Sequence, residues 1–157
     1  MGKAAIGAAL LLILTGPALA EPIRADQIKV SDGDTIRAHG ERYRLVGYDT
    51  PETWSRRRVV TPEERALGKR ARDRFKVLLK SGPLDLTEVP CACTKHTTID
   101  KRGRCRTNDR LCAVLTVNGR NIGDDLIEKG LAETYVCAPT ECPPLPNWPK
   151  IIEERVR

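Results

Sequence analysis

The chain has 157 residues, of which 27 are lysine or arginine and 21 are aspartate or glutamate, for a formal charge of +6. With 40% hydrophobic and 31% charged residues, the composition excludes an integral membrane protein and a disordered chain, and it allows one globular domain. Only 4% of the residues are aromatic, so the core must be mainly aliphatic. The positive charge permits a polyanionic partner, although by itself it describes only a surface.

Residues 1–20 have the pattern of a secretory signal peptide. A single cation, Lys3, precedes an apolar run over residues 4–14, and Ala18-Leu19-Ala20 forms a small-residue cleavage site. We expect cleavage before Glu21 and a mature protein that is periplasmic or secreted, with no membrane attachment. The alternative is a membrane anchor, but the apolar run is too short to span a bilayer and a glycine-proline pair interrupts it.

The mature part of the chain contains six cysteines: Cys91, Cys93, Cys105, Cys112, Cys137 and Cys142. No two are spaced as C-x-x-C and the chain has only two histidines, which argues against a zinc site. Export to an oxidising compartment favours three disulfides instead. Cys137 and Cys142 would close a local loop. The pairing of Cys91 and Cys93 with Cys105 and Cys112 stays open at this point.

The first part of the mature chain predicts three short strands, over residues 27–31, 35–38 and 42–48. In the third strand, Arg44, Val46 and Tyr48 would share one face, with Asp49 at the strand end.

A helix is predicted to begin at Thr61-Pro62-Glu63-Glu64. Thr61 can cap it, Pro62 suits its first position, and Glu64 would complete a capping box. Apolar residues then recur at helical spacing until Gly82-Pro83. We interpret the cations on the opposite face of this helix as a solvated surface.

The second part of the chain predicts strands over 84–89 and 111–117, joined by a cysteine-rich cationic loop over 91–110. Asn118-Gly119 is a strong turn signal, and a short helix over 122–129 follows it. This order of elements predicts a small barrel with helices packed outside it.

Two segments place carboxylates beside cations: Asp32-Gly33-Asp34-Thr35, and residues 44–52. The turn at Pro51 would bring Glu52 near Asp49. Oxygen ligands of this kind suit Ca²⁺. An arginine and a metal can neutralise charge on phosphoryl oxygens while a free carboxylate activates water, so this set can attack a phosphodiester. The alternative is that both segments are ordinary turns.

The motifs V-S-D-G-D-T (30–35), R-L-V-G-Y-D-T-P-E (44–52) and G-L-A (130–132) resemble the staphylococcal (micrococcal) nuclease family, also called thermonucleases, over about residues 25–136. The resemblance implies an α+β, mainly β fold: an OB-type five-stranded β-barrel with two to three helices packed outside. The domain would span residues 21–142, and residues 143–157 would be a proline-rich tail with a truncated final helix. It also implies a Ca²⁺-dependent endonuclease that cuts DNA and RNA and leaves 3′-phosphate ends, in a cysteine-rich exported bacterial member.

The resemblance further implies roles for single residues. Asp34 and Asp49 would bind Ca²⁺ together with the backbone carbonyl of Thr50. Glu52 would be the general base, and Arg44 the first of two phosphate-binding arginines.

The second arginine has two candidates. Arg104 matches the family's D-K-x-G-R pattern by letters, over residues 100–104. Arg110 instead opens the strand that leads to the turn and short helix, and strand register decides where a guanidinium points. We therefore expect Arg110 to be catalytic and Arg104 to be a phosphate-binding auxiliary. Tyr135 is the candidate for packing on the nucleotide.

Two other classes of function remain at this point. A non-catalytic OB-type module could bind nucleic acid or another ligand, but relatives of that kind have lost the acidic and arginine set that this chain keeps. A secreted protein-interaction domain could use the loop over residues 91–110, and it would be indifferent to Ca²⁺. For the enzyme we expect DNA and RNA as substrates and a monomeric state.

Overall fold

A computed structural model describes residues 21–157. The predicted signal peptide, residues 1–20, lies outside the described residues. Within the described part of the chain, no helix is long and apolar enough to cross a membrane.

Residues 21–157 form eleven strands and three α-helices. The strands are β1 (Glu21–Ile23), β2 (Lys29–Asp32), β3 (Thr35–Ala38), β4 (Glu41–Leu45), β5 (Gly47–Asp49), β6 (Leu84–Val89), β7 (Thr98–Ile99), β8 (Cys105–Arg106), β9 (Leu111–Val117), β10 (Arg120–Asn121) and β11 (Glu133–Tyr135). The helices are α1 (Pro62–Leu78), α2 (Ile122–Glu128) and α3 (Trp148–Val156).

The main sheet has the order β1-β6-β9-β4-β3-β2, and β10 pairs with β9. The β4–β9 pair is parallel and the other pairs are antiparallel. The sheet curls into an OB-like half-barrel, and with the three helices this confirms the predicted α+β fold. Two small two-stranded sheets, β5–β11 and β7–β8, lie apart from it.

The core is mainly aliphatic, as the scarcity of aromatic residues predicts. Ile36, Leu45, Leu115 and Leu126 are fully buried between the sheet and the helices, together with Phe75 of α1. Removing this apolar surface from water contributes about 25 cal/mol per Å² to stability.

The prediction of one strand over residues 42–48 is wrong in one respect. The strand breaks at Val46 between β4 and β5, where Gly47 has a φ of +96°. After the break Tyr48 turns into the core, and its hydroxyl donates to the carbonyl of Gly33 at 3.1 Å. Tyr48 therefore does not share a face with Arg44, because the irregular residue reverses the alternation of side chains.

The start of α1 is confirmed, but its capping box is not. The hydroxyl of Thr61 accepts a hydrogen bond from the backbone N–H of Glu64 at 3.2 Å, as a cap should. The carboxylate of Glu64 does not return to Thr61; it is fully buried and bonded elsewhere.

The proline-rich segment after Cys142 leads into a helix of nine residues. Asn147 caps α3 by accepting from the backbone N–H of Lys150 at 3.3 Å, and Pro149 lies in its first turn. The side chain of Trp148 is 1% exposed and anchors the helix, which packs against α1. The final helix is thus present and contributes to the packed structure.

Three disulfides form, as predicted from the even number of cysteines. Cys137 pairs with Cys142. The pairing that the sequence left open is Cys91–Cys112 and Cys93–Cys105, so one bridge is nested inside the other. They enclose the cationic loop, which contains the unpredicted hairpin β7–β8.

Candidate active site

A cavity of about 610 Å³ opens beside the ends of β4 and β5. This volume is within the usual range for ligand sites. Most of the predicted site residues line it: Arg44, Asp49, Glu52, Arg110 and Tyr135. Segments that are distant in the chain thus meet at one place.

Arg44 lies between the two predicted metal ligands. Its Nη1 forms an ion pair with Asp34, and its Nη2 donates to Asp49 Oδ1 at 2.7 Å and to the carbonyl of Tyr48 at 3.1 Å. Burial opposes ionisation of Asp34, but the charges of Arg44 and Arg110 outweigh it and lower the pKa of Asp34. The guanidinium therefore holds both acidic motifs in one charged cluster.

The two acidic motifs touch through Gly33 and Thr50. A Cβ atom built on Gly33 would lie 2.6 Å from the side chain of Thr50, so only glycine allows this approach. The backbone N–H of Thr50 then donates to Asp34 Oδ2 at 3.3 Å. The glycine of the D-G-D segment thus explains how Asp34 reaches the residues after β5.

Asp49 has a partner that the sequence did not reveal. The indole N–H of Trp148 donates to Asp49 Oδ2 at 2.9 Å, in a buried position. Burial and the charge of Asp34 raise the pKa of Asp49, against the lowering effects of Arg44 and Trp148. Helix α3 thereby fixes one side of the charged cluster formed by Asp34, Arg44 and Asp49.

Arg110 lies in the cavity, and Arg104 does not line it. The Nη1 of Arg110 donates to the hydroxyl of Thr35 at 2.7 Å, and that hydroxyl donates to Asp34 Oδ1 at 3.0 Å. Burial and the charge of Arg44 lower the pKa of Arg110. Arg104 is instead neutralised by Asp100 at 2.9 Å and Glu88 at 2.8 Å.

Glu52 lines the cavity, and α1 supports its backbone. The backbone N–H of Glu52 donates to Glu64 Oε1 at 3.2 Å. Glu64 in turn accepts from both terminal nitrogens of Arg58, at 2.6 and 2.5 Å. A Cβ atom on Gly68 would lie 2.5 Å from the carbonyl oxygen of Pro51, so this glycine lets the loop approach the helix.

The environment of Glu52 suits a proton acceptor. Partial desolvation and the charges of Asp34 and Asp49 raise its pKa above the usual value for glutamate. A carboxylate with a raised pKa is a stronger base at neutral pH.

Asp32 is a member of the cluster that the sequence interpretation missed. Burial and the charge of Asp34 raise its pKa to about 7, and its Oδ1 is buried without a hydrogen-bond partner. The signal was present in the D-G-D segment, where only the second aspartate was assigned a role.

The donors in this cluster fit a hard cation. Within residues 21–157 no group of three or more His, Cys, Asp or Glu side chains is arranged to hold a metal. However, Asp34 and Asp49 supply the oxygen donors that Ca²⁺ prefers, and the buried Oδ1 of Asp32 beside them has no hydrogen-bond partner. Asp34, Asp49 and the carbonyl of Thr50 are therefore the residues that would hold it.

Residues 42–147 match the family described as staphylococcal nuclease homologue, which is more than half of the chain. The chain belongs to this family. No curated protein matches the chain. The staphylococcal nuclease homologue segment includes Arg44, Asp49, Glu52 and Arg110, while Asp34 precedes it. Membership agrees with the OB-like sheet and supports a nuclease-type function.

Proposed function

We propose that the protein is an exported, Ca²⁺-dependent endonuclease that hydrolyses phosphodiester bonds of DNA and RNA to 3′-phosphate products. One observation carries the proposal: the guanidinium groups of Arg44 and Arg110 line a single cavity together with the carboxylate of Glu52. Nuclease family membership supports the reaction class.

The two arginines form the phosphate-binding part of the site. Hydrogen bonds through Asp34 and Thr35 link Arg44 to Arg110 and restrict both guanidinium groups. Fixed cationic donors stabilise the charge that develops on phosphoryl oxygens in the pentacovalent transition state. Because the two cations also repel each other, an entering phosphate anion relieves an unfavourable interaction.

Glu52 performs the proton transfer in this mechanism. Its carboxylate accepts a proton from water as the water oxygen attacks phosphorus. The new oxygen–phosphorus bond forms as the bond between phosphorus and the 5′-oxygen breaks. The 5′-oxygen takes a proton from solvent and leaves as a hydroxyl, so the phosphate stays on the 3′ side. When bound, Ca²⁺ supplies further neutralisation of the phosphoryl charge.

Export is supported by the signal-peptide pattern at residues 1–20 and by the three disulfides. Disulfides persist in oxidising compartments and are rare in cytosolic proteins. Fractionation of cells that produce the full chain should place the protein in the periplasm or medium, with Glu21 as its first residue.

The test is digestion of plasmid DNA, denatured DNA and RNA by the oxidised mature protein, with Ca²⁺ or with a chelator. Cutting should require Ca²⁺ and leave 3′-phosphate ends. Arg110→Ala should lose about 10²–10³-fold in rate, the usual effect of removing one transition-state donor. Arg104→Ala is the matched control and should keep most of the activity, because Arg104 is paired outside the cavity.

Binding of the same nucleic acids without any cutting, by folded protein in Ca²⁺, would refute the proposal. That result would favour a non-catalytic binding module of the same fold. Equal losses in the Arg104 and Arg110 variants would instead refute the assignment of Arg110.

A further inference from the structure

Three cations stand in one row across strands β2, β3 and β4. Lys29 pairs with Arg37, and Arg37 pairs with Arg42, so the three side chains are neighbours on one face of the sheet. All three are exposed. Like charges directly opposite each other in a sheet are destabilising.

No anion of the described chain compensates this row. Ion pairs among residues 21–157 do not include Lys29, Arg37 or Arg42. Glu41, the first residue of β4 after the β3–β4 turn, forms an ion pair with Arg106 at 2.9 Å. The fold therefore keeps a repulsive row of three charges with no ion-pair partner in the described part of the chain.

The row continues the face that carries the catalytic arginines. Arg42 lies two residues before Arg44 on β4, and Arg37 lies two residues after Thr35 on β3, so each shares a face with its site neighbour. Arg42 also directly precedes the pair Tyr43–Leu111, which places it beside Arg110, the residue immediately before β9. The row thus begins at the edge of the cavity and leads away from it.

We propose that Lys29, Arg37 and Arg42 form an extended subsite that holds backbone phosphates of the substrate strand outside the cavity. This inference rests on the proposed nuclease function. Neighbouring strands lie about 4.8 Å apart, so the row spans about 10 Å across the sheet. A flexible nucleic-acid strand whose scissile phosphate is held by Arg44 and Arg110 can lay its following phosphates along this row.

The chemistry of the row favours phosphates over bases. Strands β2 to β4 contain one aromatic residue, Tyr43, and it is buried in the core. The row therefore lacks the stacking platforms that bind bases in single-stranded nucleic acid. Contacts to phosphate alone carry no sequence information and depend strongly on salt.

The experiment compares a triple variant, Lys29→Gln with Arg37→Gln and Arg42→Gln, with a matched control. The control is Arg65→Gln with Lys69→Gln and Arg70→Gln, which removes the same charge from exposed positions of α1. Each protein is assayed on a dinucleotide and on a 20-nucleotide DNA strand at several salt concentrations. The row variant should raise the KM for the long strand at least ten times more than the KM for the dinucleotide.

The salt dependence gives a second readout. Each phosphate contact to a single strand contributes about 0.7 to the slope of log affinity against log salt, so loss of three contacts should reduce the slope by about 2. The row variant should melt at the same temperature as the parent or above it, since a repulsion is removed. The α1 control should change neither the KM ratio nor the slope.

Failure of the subsite and failure of the nuclease proposal are distinguishable. If the parent protein does not cut, fluorescence anisotropy with the 20-nucleotide strand still compares the two triple variants. Equal affinities and equal slopes in row variant and control would overturn the subsite. Loss of binding to phosphatidylserine vesicles with unchanged DNA binding would also overturn it, because the row would then serve a membrane surface.

Discussion

The carboxylate of Glu64, on α1, accepts the backbone N–H of Glu52 at 3.2 Å. A buried residue of the helix therefore holds the segment that carries the candidate general base. Arg58 holds Glu64 in turn through two hydrogen bonds. Glu64 does not itself line the cavity, but it bonds to Glu52 and Arg58, which do, so it is a positioning residue.

Replacing Glu64 should therefore reduce turnover more than substrate binding. Glu64→Ala removes the acceptor for the Glu52 N–H and leaves Arg58 unpaired, and a misplacement of about 1 Å in a catalytic group can cost about 10²-fold in rate. Steady-state kinetics should show a lower kcat with a nearly unchanged KM, measured well below the melting temperature.

Two further variants separate positioning from loss of folding. Glu64→Gln keeps an acceptor for the Glu52 N–H and should recover much of the rate. Glu63→Ala removes an exposed acid from the same helical turn and should behave as the parent. Equal kcat in Glu64→Ala and the parent would show that Glu64 does not position the base.

Local features of this fold could be predicted from the sequence. The cap of α1 at Thr61, the strand over 84–89 and the turn at Asn118-Gly119 depend on residues close together in the chain. Glu64 shows the limit of such patterns. Spacing identified a possible acceptor for the helix end, but the donors that it actually binds, Arg58 and Glu52, become neighbours only after the loop folds back onto α1.

Long-range contacts explain what the sequence did not show at the site. Trp148 and Asp49 are 99 positions apart, and β11 pairs with β5 across a similar gap. Periodicity carries no information about such pairs, because they depend on how whole elements pack. Asp32 was missed for a different reason: a buried, unpartnered carboxylate oxygen is a property of packing, which a turn motif does not encode.

Trp148 should report Ca²⁺ binding directly, because its indole N–H is bonded to a proposed metal ligand. The chain has two tryptophans, and the other, Trp54, is 61% exposed. In Trp54→Phe, fluorescence should come from Trp148 alone and should change in a saturable manner during a Ca²⁺ titration. Trp148→Phe should also lose about 1–3 kcal/mol of unfolding free energy, because Asp49 Oδ2 then lacks its buried hydrogen-bond donor.

The matched control for the titration is Trp148→Phe, in which only the exposed Trp54 emits; it should show no saturable change. Asp49→Asn in the Trp54→Phe background should weaken the response. If calorimetry detects Ca²⁺ binding to Trp54→Phe while its fluorescence stays constant, Asp49 is not a ligand of the bound ion.

The ion pair between Arg74 and Asp125 should make stability depend on pH. Arg74 joins α1 to α2 through two hydrogen bonds of 2.6 Å to Asp125, and they lower the pKa of Asp125 below its usual 3.8. A lowered pKa means that the pair stabilises the folded state above pH 3.8 and loses this effect as the pH falls through the folded-state pKa.

The free energies of unfolding in urea of the parent and of Asp125→Asn should therefore differ most above about pH 5. There the Asp125 carboxylate is ionised in both the folded and the unfolded state. The difference should shrink steadily toward pH 2. Asp124→Asn, at the exposed neighbouring position, should match the parent throughout. A difference between parent and Asp125→Asn that grows toward acid pH would contradict the assigned ion pair.

Removing the Cys91–Cys112 bridge should affect both stability and the site. It closes a loop of 21 residues, and loop-closure entropy assigns about 3 kcal/mol to such a bridge against about 2 kcal/mol for the five-residue loop of Cys137–Cys142. Cys112 also lies two residues after Arg110 and pairs with Arg44 across β4 and β9. Loss of this bridge should therefore disturb the pairing of β4 with β9, on which the positions of both arginines depend.

Replacing each pair by alanine tests this difference. Cys91→Ala with Cys112→Ala should lower both the melting temperature and kcat, whereas Cys137→Ala with Cys142→Ala should lower the melting temperature less. Because the second bridge lines the cavity on the side of Tyr135, its removal should raise KM more than it lowers kcat. The two double variants are compared at equal fractions of folded protein. If both lost kcat equally, the Cys91–Cys112 bridge would not specifically support the arginines.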